Sequence, residues 1–199
     1  MNIAILASGN GSNFEAIAKA VKCGYIKGCI KVLITDKSNA FVRQRAKRNK
    51  IKDIFIDAAE FKSRQAFDDE IVKVLKKERI DLVVLAGFMR ILSVNFVKRF
   101  QNRILNIHPA LLPAFRGENA IKRALKHGCK VTGVTVHLID EKVDNGPIIL
   151  QQAIKIEKGE TLKNLEKKVH SLEHKLYPLA IKLFTERRVK IRNRNVKII

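Results

Sequence analysis

Short apolar runs rich in β-branched residues recur at Ile3–Ala7, Ile30–Ile34, Leu82–Ala86 and Ile104–Ile107, and the stretches between them, such as Asn13–Val21 and Arg64–Lys77, carry helical spacing. A run without a polar face is a strand buried on both sides. Strands of that kind alternating with amphipathic helices form a parallel sheet covered by helices. Further along, Val134-Thr135-Val136-His137-Leu138 alternates apolar and polar residues, and Gly146-Pro147 precedes a second apolar run over Ile148–Gln151. An antiparallel hairpin is therefore expected to extend the sheet. Leu162, Leu165, Val169, Leu172, Leu176 and Leu179 mark the buried stripe of a long last helix that starts near Thr161 and that Pro178 is expected to bend or end. The predicted architecture is α/β and Rossmann-like: a mostly parallel twisted sheet with helices on both faces, then a C-terminal antiparallel hairpin plus long helix.

With 199 residues and no internal repeat or linker, the chain is expected to form one domain over residues 1–186, followed by a basic C-terminal tail over 187–199. No apolar run reaches membrane-spanning length, and Met1-Asn2 leads directly into the first strand, so a cytoplasmic protein without membrane contact is expected. Cys23, Cys29 and Cys129 show no CxxC spacing, which suggests reduced structural thiols and no zinc site. The net charge of +21 raises the possibility of a nucleic-acid partner. However, the basic residues are spread over nearly every predicted helix, the one dense run is Arg187–Arg194, and tryptophan is absent. A solvated surface without a specific nucleic-acid partner is expected, with the tail contributing little to turnover.

The densest chemistry lies in Asn106-Ile107-His108-Pro109, followed 36 residues after the histidine by Asp144 in Val143-Asp144-Asn145-Gly146-Pro147. Acyl transfer to an amine needs a donor for the oxyanion and a proton carrier that works near neutral pH, and Asn106 and His108 fit those roles. Two residues apart on a strand, they point to the same side. Asp144 is then placed to hold the imidazole and favour its charged form. The alternative is that Asn106 and His108 only satisfy backbone groups at a strand end while Asp144 opens a turn. His137 has two readings as well, a sheet histidine bonded to backbone or a neighbour of this cluster.

The first strand ends in Ser8-Gly9-Asn10-Gly11-Ser12-Asn13, with a helix expected from about Phe14. Backbone N–H groups at such a helix start, approached closely past glycines, bind phosphate, and the Ser12 and Asn13 side chains add donors. Asp36 at the end of the second strand would suit a dinucleotide. That site, though, wants a third glycine where this chain has Phe14.

Taken in order, Ser8–Asn13, Leu85-Ala86-Gly87-Phe88-Met89-Arg90-Ile91-Leu92, Asn106–Pro113, Gly133–His137 and Asp144–Leu150 resemble the glycinamide ribonucleotide formyltransferases, from residue 3 to about residue 185. That resemblance implies transfer of a formyl group from 10-formyltetrahydrofolate, as co-substrate, to the amine of glycinamide ribonucleotide in purine synthesis, with no metal. It implies small-molecule substrates and a monomer or homodimer. By the same resemblance Asn106, His108 and Asp144 are catalytic, Gly11, Ser12 and Asn13 hold the phosphate, and Glu173 contacts the sugar and amine region. Arg64, Met89, Arg90, Ile91, Leu92 and Asn106 meet the folate. Ile91, Leu92, Val97 and Ile104 are expected to supply its apolar walls. Read alone, Arg64 is a solvated helix residue and Glu173 a surface carboxylate facing lysines. Ala110 and Phe115-Arg116-Gly117-Glu118-Asn119 depart from the commonest family pattern, and the Arg-Gly step is similar to the methionyl-tRNA formyltransferases. Those enzymes share the Asn, His and Asp and normally carry an extra C-terminal domain. A protonated His108 is expected to stabilise the oxyanion with Asn106 and to pass a proton to the folate nitrogen, and Asp144 to raise its pKa and take up the amine proton through water.

Overall fold

The structure, a computed structural model, describes residues 1–199. Seven strands form one sheet in the order β3-β2-β1-β4-β5-β6-β7, and a separate pair, β8-β9, follows the last helix. By internal packing the chain divides into two units, Met1–Leu105 and Asn106–Ile199.

The first unit holds β1 (Asn2–Leu6), α1 (Ser12–Lys22), β2 (Cys29–Thr35), α2 (Phe41–Arg48), β3 (Asp53–Phe55), α3 (Arg64–Lys77), β4 (Leu82–Leu85), α4 (Val94–Arg99) and the start of β5 (Ile104–His108). Three of its four strongest apolar runs became β1, β2 and β4, and the fourth became β5. Ile3–Ala7 and Val32–Ile34 have no exposed surface, as continuous apolar patterning requires. β1 pairs in parallel with β2 on one side and β4 on the other. The chain winds outward from β1 to β3 and then returns to β4, so the strand order reverses between β1 and β4. At such a reversal the loops beyond the carboxyl ends of the two strands border a crevice. Here those loops are tied together, Ser8 N–H donating to the Gly87 carbonyl at 3.0 Å and Met89 N–H to Ser8 Oγ at 2.9 Å.

Helix α1 begins at Ser12, earlier than the sequence suggested, because Gly11 takes φ 76° and serves as its N-cap. Phe14 is fully buried where a dinucleotide site would need glycine. Cys23 and Cys29 are exposed and Cys129 is half-buried, all as free thiols, so the expectation of structural thiols is corrected for the first two.

The second unit contains α5 (Ala120–Lys126), β6 (Val131–Leu138), β7 (Ile148–Lys155), α6 (Leu162–Thr185), β8 (Val189–Arg192) and β9 (Asn195–Ile198). The expected hairpin is present and longer than the pattern indicated, β6 and β7 pairing from Val131↔Lys155 to His137↔Ile148. Both polar positions of its alternating run, Thr135 and His137, are fully buried. Thr161 caps α6, its Oγ1 accepting from Asn164 N–H at 3.3 Å. Of the two outcomes expected for Pro178, an end to the helix does not occur, since α6 runs 24 residues through it. A proline there removes the bond to the carbonyl four residues back, but Tyr177, Pro178, Ala180 and Ile181 are all buried, and this packing offsets the loss. Leu165, Val169, Leu172 and Leu176 form the expected stripe, while Leu162 and Leu179 at its margins are only half-buried.

Residues beyond Glu186 are not structureless. β8 and β9 form an antiparallel hairpin in which Val189↔Ile198 and Ile191↔Val196 face one way and Lys190↔Lys197 the other, and β9 lies beside β7. No helix of the chain is long and apolar enough to cross a membrane.

Candidate active site

Strand β5 delivers Asn106 and His108, and the β6–β7 connection delivers Asp144. The structure brings all three together. His108 Nδ1 lies 3.2 Å from Asp144 Oδ2, and Asn106 Nδ2 lies 3.4 Å from Asp144 Oδ1. His137 joins them, its Nε2 at 3.2 Å from Asn106 Nδ2 and 3.6 Å from Asp144 Oδ1. Because a carbonyl can only accept, the 2.8 Å contact between His137 Nδ1 and the Leu138 oxygen places a proton on Nδ1. Both readings of His137 thus hold at once: one ring nitrogen bonds the backbone and the other faces the cluster. The signal in the sequence was its position two residues after Thr135, on the same face of β6.

Four titratable groups of this unit are withdrawn from water: His137 at 0%, Glu173 at 4%, His108 at 5% and Asp144 at 9% exposure. Burial by itself raises the Asp144 carboxyl, yet His137, the Gly117 amide donating at 2.8 Å and the charge of His108 together hold it down to about 2. It is therefore an anion throughout the neutral range. For His108 burial is the largest influence and holds the imidazole below its ordinary value, against the opposing pull of Asp144, the Phe115 carbonyl and Glu173. The charged resting imidazole expected from the sequence is corrected accordingly. The two ring nitrogens face two acceptors, Asp144 Oδ2 and, at 2.9 Å from Nε2, the Phe115 oxygen. A neutral ring satisfies one of them and the imidazolium both, which makes His108 ready to accept a proton.

Glu173 is not the surface carboxylate of the simpler reading. Buried on α6, it accepts from His170 Nδ1 at 2.9 Å, which raises the His170 pKa. The segment Pro109–Pro113 is held by Thr135, whose Oγ1 donates to the Ala110 carbonyl at 2.7 Å and accepts from Leu112 N–H at 3.1 Å. Gln151 Nε2 adds bonds of 2.9 Å to Thr135 Oγ1 and to the Leu112 carbonyl.

In the first unit the loop after β1 leads into α1 with no side chain capping the helix start, and the positive end of the helix dipole there favours an anion. Glu15 in that turn is matched by Arg45 at 3.7 Å and Asn49 at 3.2 Å. Arg45 also grips the loop, donating to the Asn10 carbonyl at 2.9 Å and to Asn10 Oδ1 at 3.0 Å. Gly11 is required twice over: its φ is positive, and a Cβ there would lie 2.4 Å from Val42 Cγ2. At Gly9 a Cβ would meet nothing within 4 Å.

The loop after β4 exposes apolar side chains, Met89 at 70% and Ile91 at 59%. Of the expected apolar walls, Leu92 and Val97 are nearly buried and Ile104 belongs to the core and offers no surface. Arg90 packs its guanidinium 4.9 Å from the centre of the Phe67 ring, and its buried Nε has no hydrogen-bond partner. Asp68 accepts from Ser93 N–H at 2.5 Å, and burial, its largest influence, raises its carboxyl against Ser93, Arg64 and Arg90. The two segments expected to meet one ligand, Arg64 and Met89–Leu92, therefore act on the same buried carboxylate. Arg64 itself is exposed at the first turn of α3, where the helix dipole does not favour a cation. No group of His, Cys, Asp and Glu side chains is arranged to hold a metal ion.

A buried carboxylate, two imidazoles and an amide meeting at one point are the equipment of an acyl-type group transferase. Residues 1–181 match the formyl transferase family, and the chain belongs to it. It is 41% identical over 179 residues to phosphoribosylglycinamide formyltransferase of Bacillus subtilis, covering 90% of this chain and 92% of the relative. Its identity to the Escherichia coli enzyme of the same name is 40% over 191 residues, 96% of this chain and 90% of the relative. The crystal structure of glycinamide ribonucleotide transformylase 1 from Symbiobacterium toebii superposes with TM-score 0.98 at 43% identity, covering 100% of this chain and 94% of that one.

Proposed function

We propose that the chain transfers the formyl group of 10-formyltetrahydrofolate to the amine of 5-phosphoribosylglycinamide, giving the N-formyl product and tetrahydrofolate in de novo purine biosynthesis. The observation that carries this reading is the meeting of Asn106, His108 and Asp144 in a chain so similar along its length to phosphoribosylglycinamide formyltransferases. Both substrates are small molecules, and the reading assigns no specific nucleic-acid partner and a cytoplasmic monomer or homodimer.

The glycinamide amine, with a free pKa of roughly 8, reaches the formyl carbon as the neutral base. Its lone pair forms the new C–N bond while the carbonyl electrons move onto oxygen. Asn106 donates to that oxyanion by giving up its longer contact, the one of 3.4 Å to Asp144. The attacking nitrogen must then lose a proton. Asp144, held near 2, is a poor base, so His108 takes the proton and Asp144 stabilises the imidazolium, in place of the water-relayed route expected from the sequence. His108 next delivers the proton to the departing folate nitrogen as the old C–N bond breaks. For Nε2 to serve the substrate, the Phe115 carbonyl must give way.

The uncapped N–H groups of α1 with Gly11, Ser12 and Asn13 hold the ribonucleotide phosphate, and Glu173 meets its sugar and amine region. Backbone groups of Arg90 and Leu92 bond the flat pterin edge, Met89 and Ile91 lie over it, and Arg64 pairs with a carboxylate of the folate tail. The fit of this loop to a ligand rests on its exposed apolar residues and the partnerless Arg90 Nε. The test is to supply both substrates with a ¹³C-labelled formyl group and follow the label. It is expected in the N-formyl ribonucleotide, and release as free formate would make the chain a hydrolase.

A further inference from the structure

The loop carrying Asp144 runs from Asp140 to Pro147 and is braced both by its own residues and by residues outside it. Asp140 Oδ1 accepts from Lys142 N–H at 3.0 Å, and Oδ2 from Asn145 Nδ2 at 2.6 Å. Asp144 sits at φ 46°, a left-handed conformation that a residue with a side chain adopts only when its surroundings impose it. Gly146 is packed so closely that a Cβ would lie 1.9 Å from the Leu138 carbonyl. On its outer side the loop meets the C-terminal hairpin. Arg194, in the turn between β8 and β9, donates from Nη2 to the Asn145 carbonyl at 2.6 Å, and its Nη1 lies 3.7 Å from Asp140 Oδ2.

We propose that Arg194 is a positioning residue: from the C-terminal hairpin it clamps Asn145 and Asp140 and so fixes the Asp144 carboxylate against His108 and His137. The proposal rests on the reading that Asp144 is catalytic. One guanidinium reaching both a backbone carbonyl and the carboxylate that organises the loop is a use of the planar fork that lysine cannot match. The hairpin that presents it is itself anchored. Val189, Ile191 and Val196 are half-buried on one face, Ile199 N–H donates to the Arg188 carbonyl at 3.0 Å, and Arg188 Nε donates back to Ile199. The basic tail is thus part of the catalytic unit rather than the dispensable appendage its composition suggested. Since the Arg194 side chain is 65% exposed, solvent weakens the ionic part of the contact, and the bond to Asn145 carries most of the effect.

The experiment compares full-length Arg194→Ala, Arg194→Lys and Arg192→Ala. Arg192 lies exposed on the same hairpin, so its removal deletes the same charge without releasing the loop. For Arg194→Ala, amide exchange over residues 141–146 should rise by about fivefold or more and kcat fall by on the order of 3–10-fold, the scale of one charge-assisted hydrogen bond discounted for exposure. The pH profile of kcat should shift, because the Asp144–His108 contact sets it, while thermal stability stays near wild type. Arg194→Lys should recover part of the loss, and Arg192→Ala should match wild type throughout. Unchanged loop exchange and kcat in Arg194→Ala would overturn the proposal. Equal losses in Arg192→Ala would also overturn it, by assigning the effect to the charge felt by anionic substrates. If Asp144→Ala keeps its turnover, the catalytic reading fails, and loop exchange still decides whether Arg194 is the clamp.

Discussion

Replacing Asp144 by Asn removes one negative charge and almost no volume. In the folded chain the carboxyl is held at about 2 against an ordinary 3.8, so ionisation of this one group contributes roughly 2.5 kcal/mol at neutral pH, a pKa unit being worth about 1.36 kcal/mol. The folded value lies below the unfolded one, so this stability is fully present above about pH 4 and is lost as pH falls towards about 2. Asp144→Asn should therefore unfold more easily than wild type by roughly 2 kcal/mol at neutral pH, and the gap should close as acid protonates the wild-type carboxylate. Turnover should fall further than stability. His108, already pulled down by burial, would lose the anion that pulls it up, and with it the capacity to hold the amine proton, a loss of about 10²–10⁴ in kcat. Urea unfolding followed by circular dichroism at several pH values, beside initial rates at saturating substrates, measures both quantities. A stability gap below about 0.5 kcal/mol at neutral pH, or kcat within about threefold of wild type, would refute the charge-based account of this residue.

His108→Ala and Asn106→Ala should each lower kcat by on the order of 10²–10⁴ with folate affinity, measured by titration, close to wild type. Gly9→Ala should keep its fold, since a Cβ there meets nothing, yet raise KM for the ribonucleotide by about tenfold and leave the folate KM alone. Gly11→Ala cannot make that distinction, because the clash with Val42 should lower the melting temperature as well. Raising salt from roughly 50 to 200 mM should change kcat/KM only modestly, whereas an enzyme making 6–10 phosphate contacts to RNA would lose about 10³–10⁵ in affinity over that range.

The sheet was legible because Ile3–Ala7, Ile30–Ile34, Leu82–Ala86 and Ile104–Ile107 carry an apolar pattern that only a doubly covered strand can satisfy. Asn106 and His108 were legible for a related reason, since a two-residue spacing on a strand sets both side chains on one face. What escaped reading depends on partners distant in sequence. For His137 the spacing on β6 left two readings open, and its contact with Asn106, which spans 31 residues, joined them only in the fold. Arg194 reaches Asn145 across 49 residues and was hidden among the basic residues of the tail. The protonation of His108 was misjudged for another reason: the charge of Asp144 is visible in the sequence, but the burial that outweighs it is not. Local grounds left open whether Pro178 bends or ends its helix, and the tertiary packing of α6 decides against an end.

The most direct measurement offers the purified chain 10-formyltetrahydrofolate together with equal amounts of phosphoribosylglycinamide and charged initiator tRNA, and quantifies both formylated products. The site residues and the family to which the chain belongs predict that the formyl group appears on the ribonucleotide amine, that His108→Ala slows this transfer by on the order of 10²–10⁴, and that the tRNA stays unformylated. Formylation of the tRNA with the ribonucleotide left untouched would contradict the account.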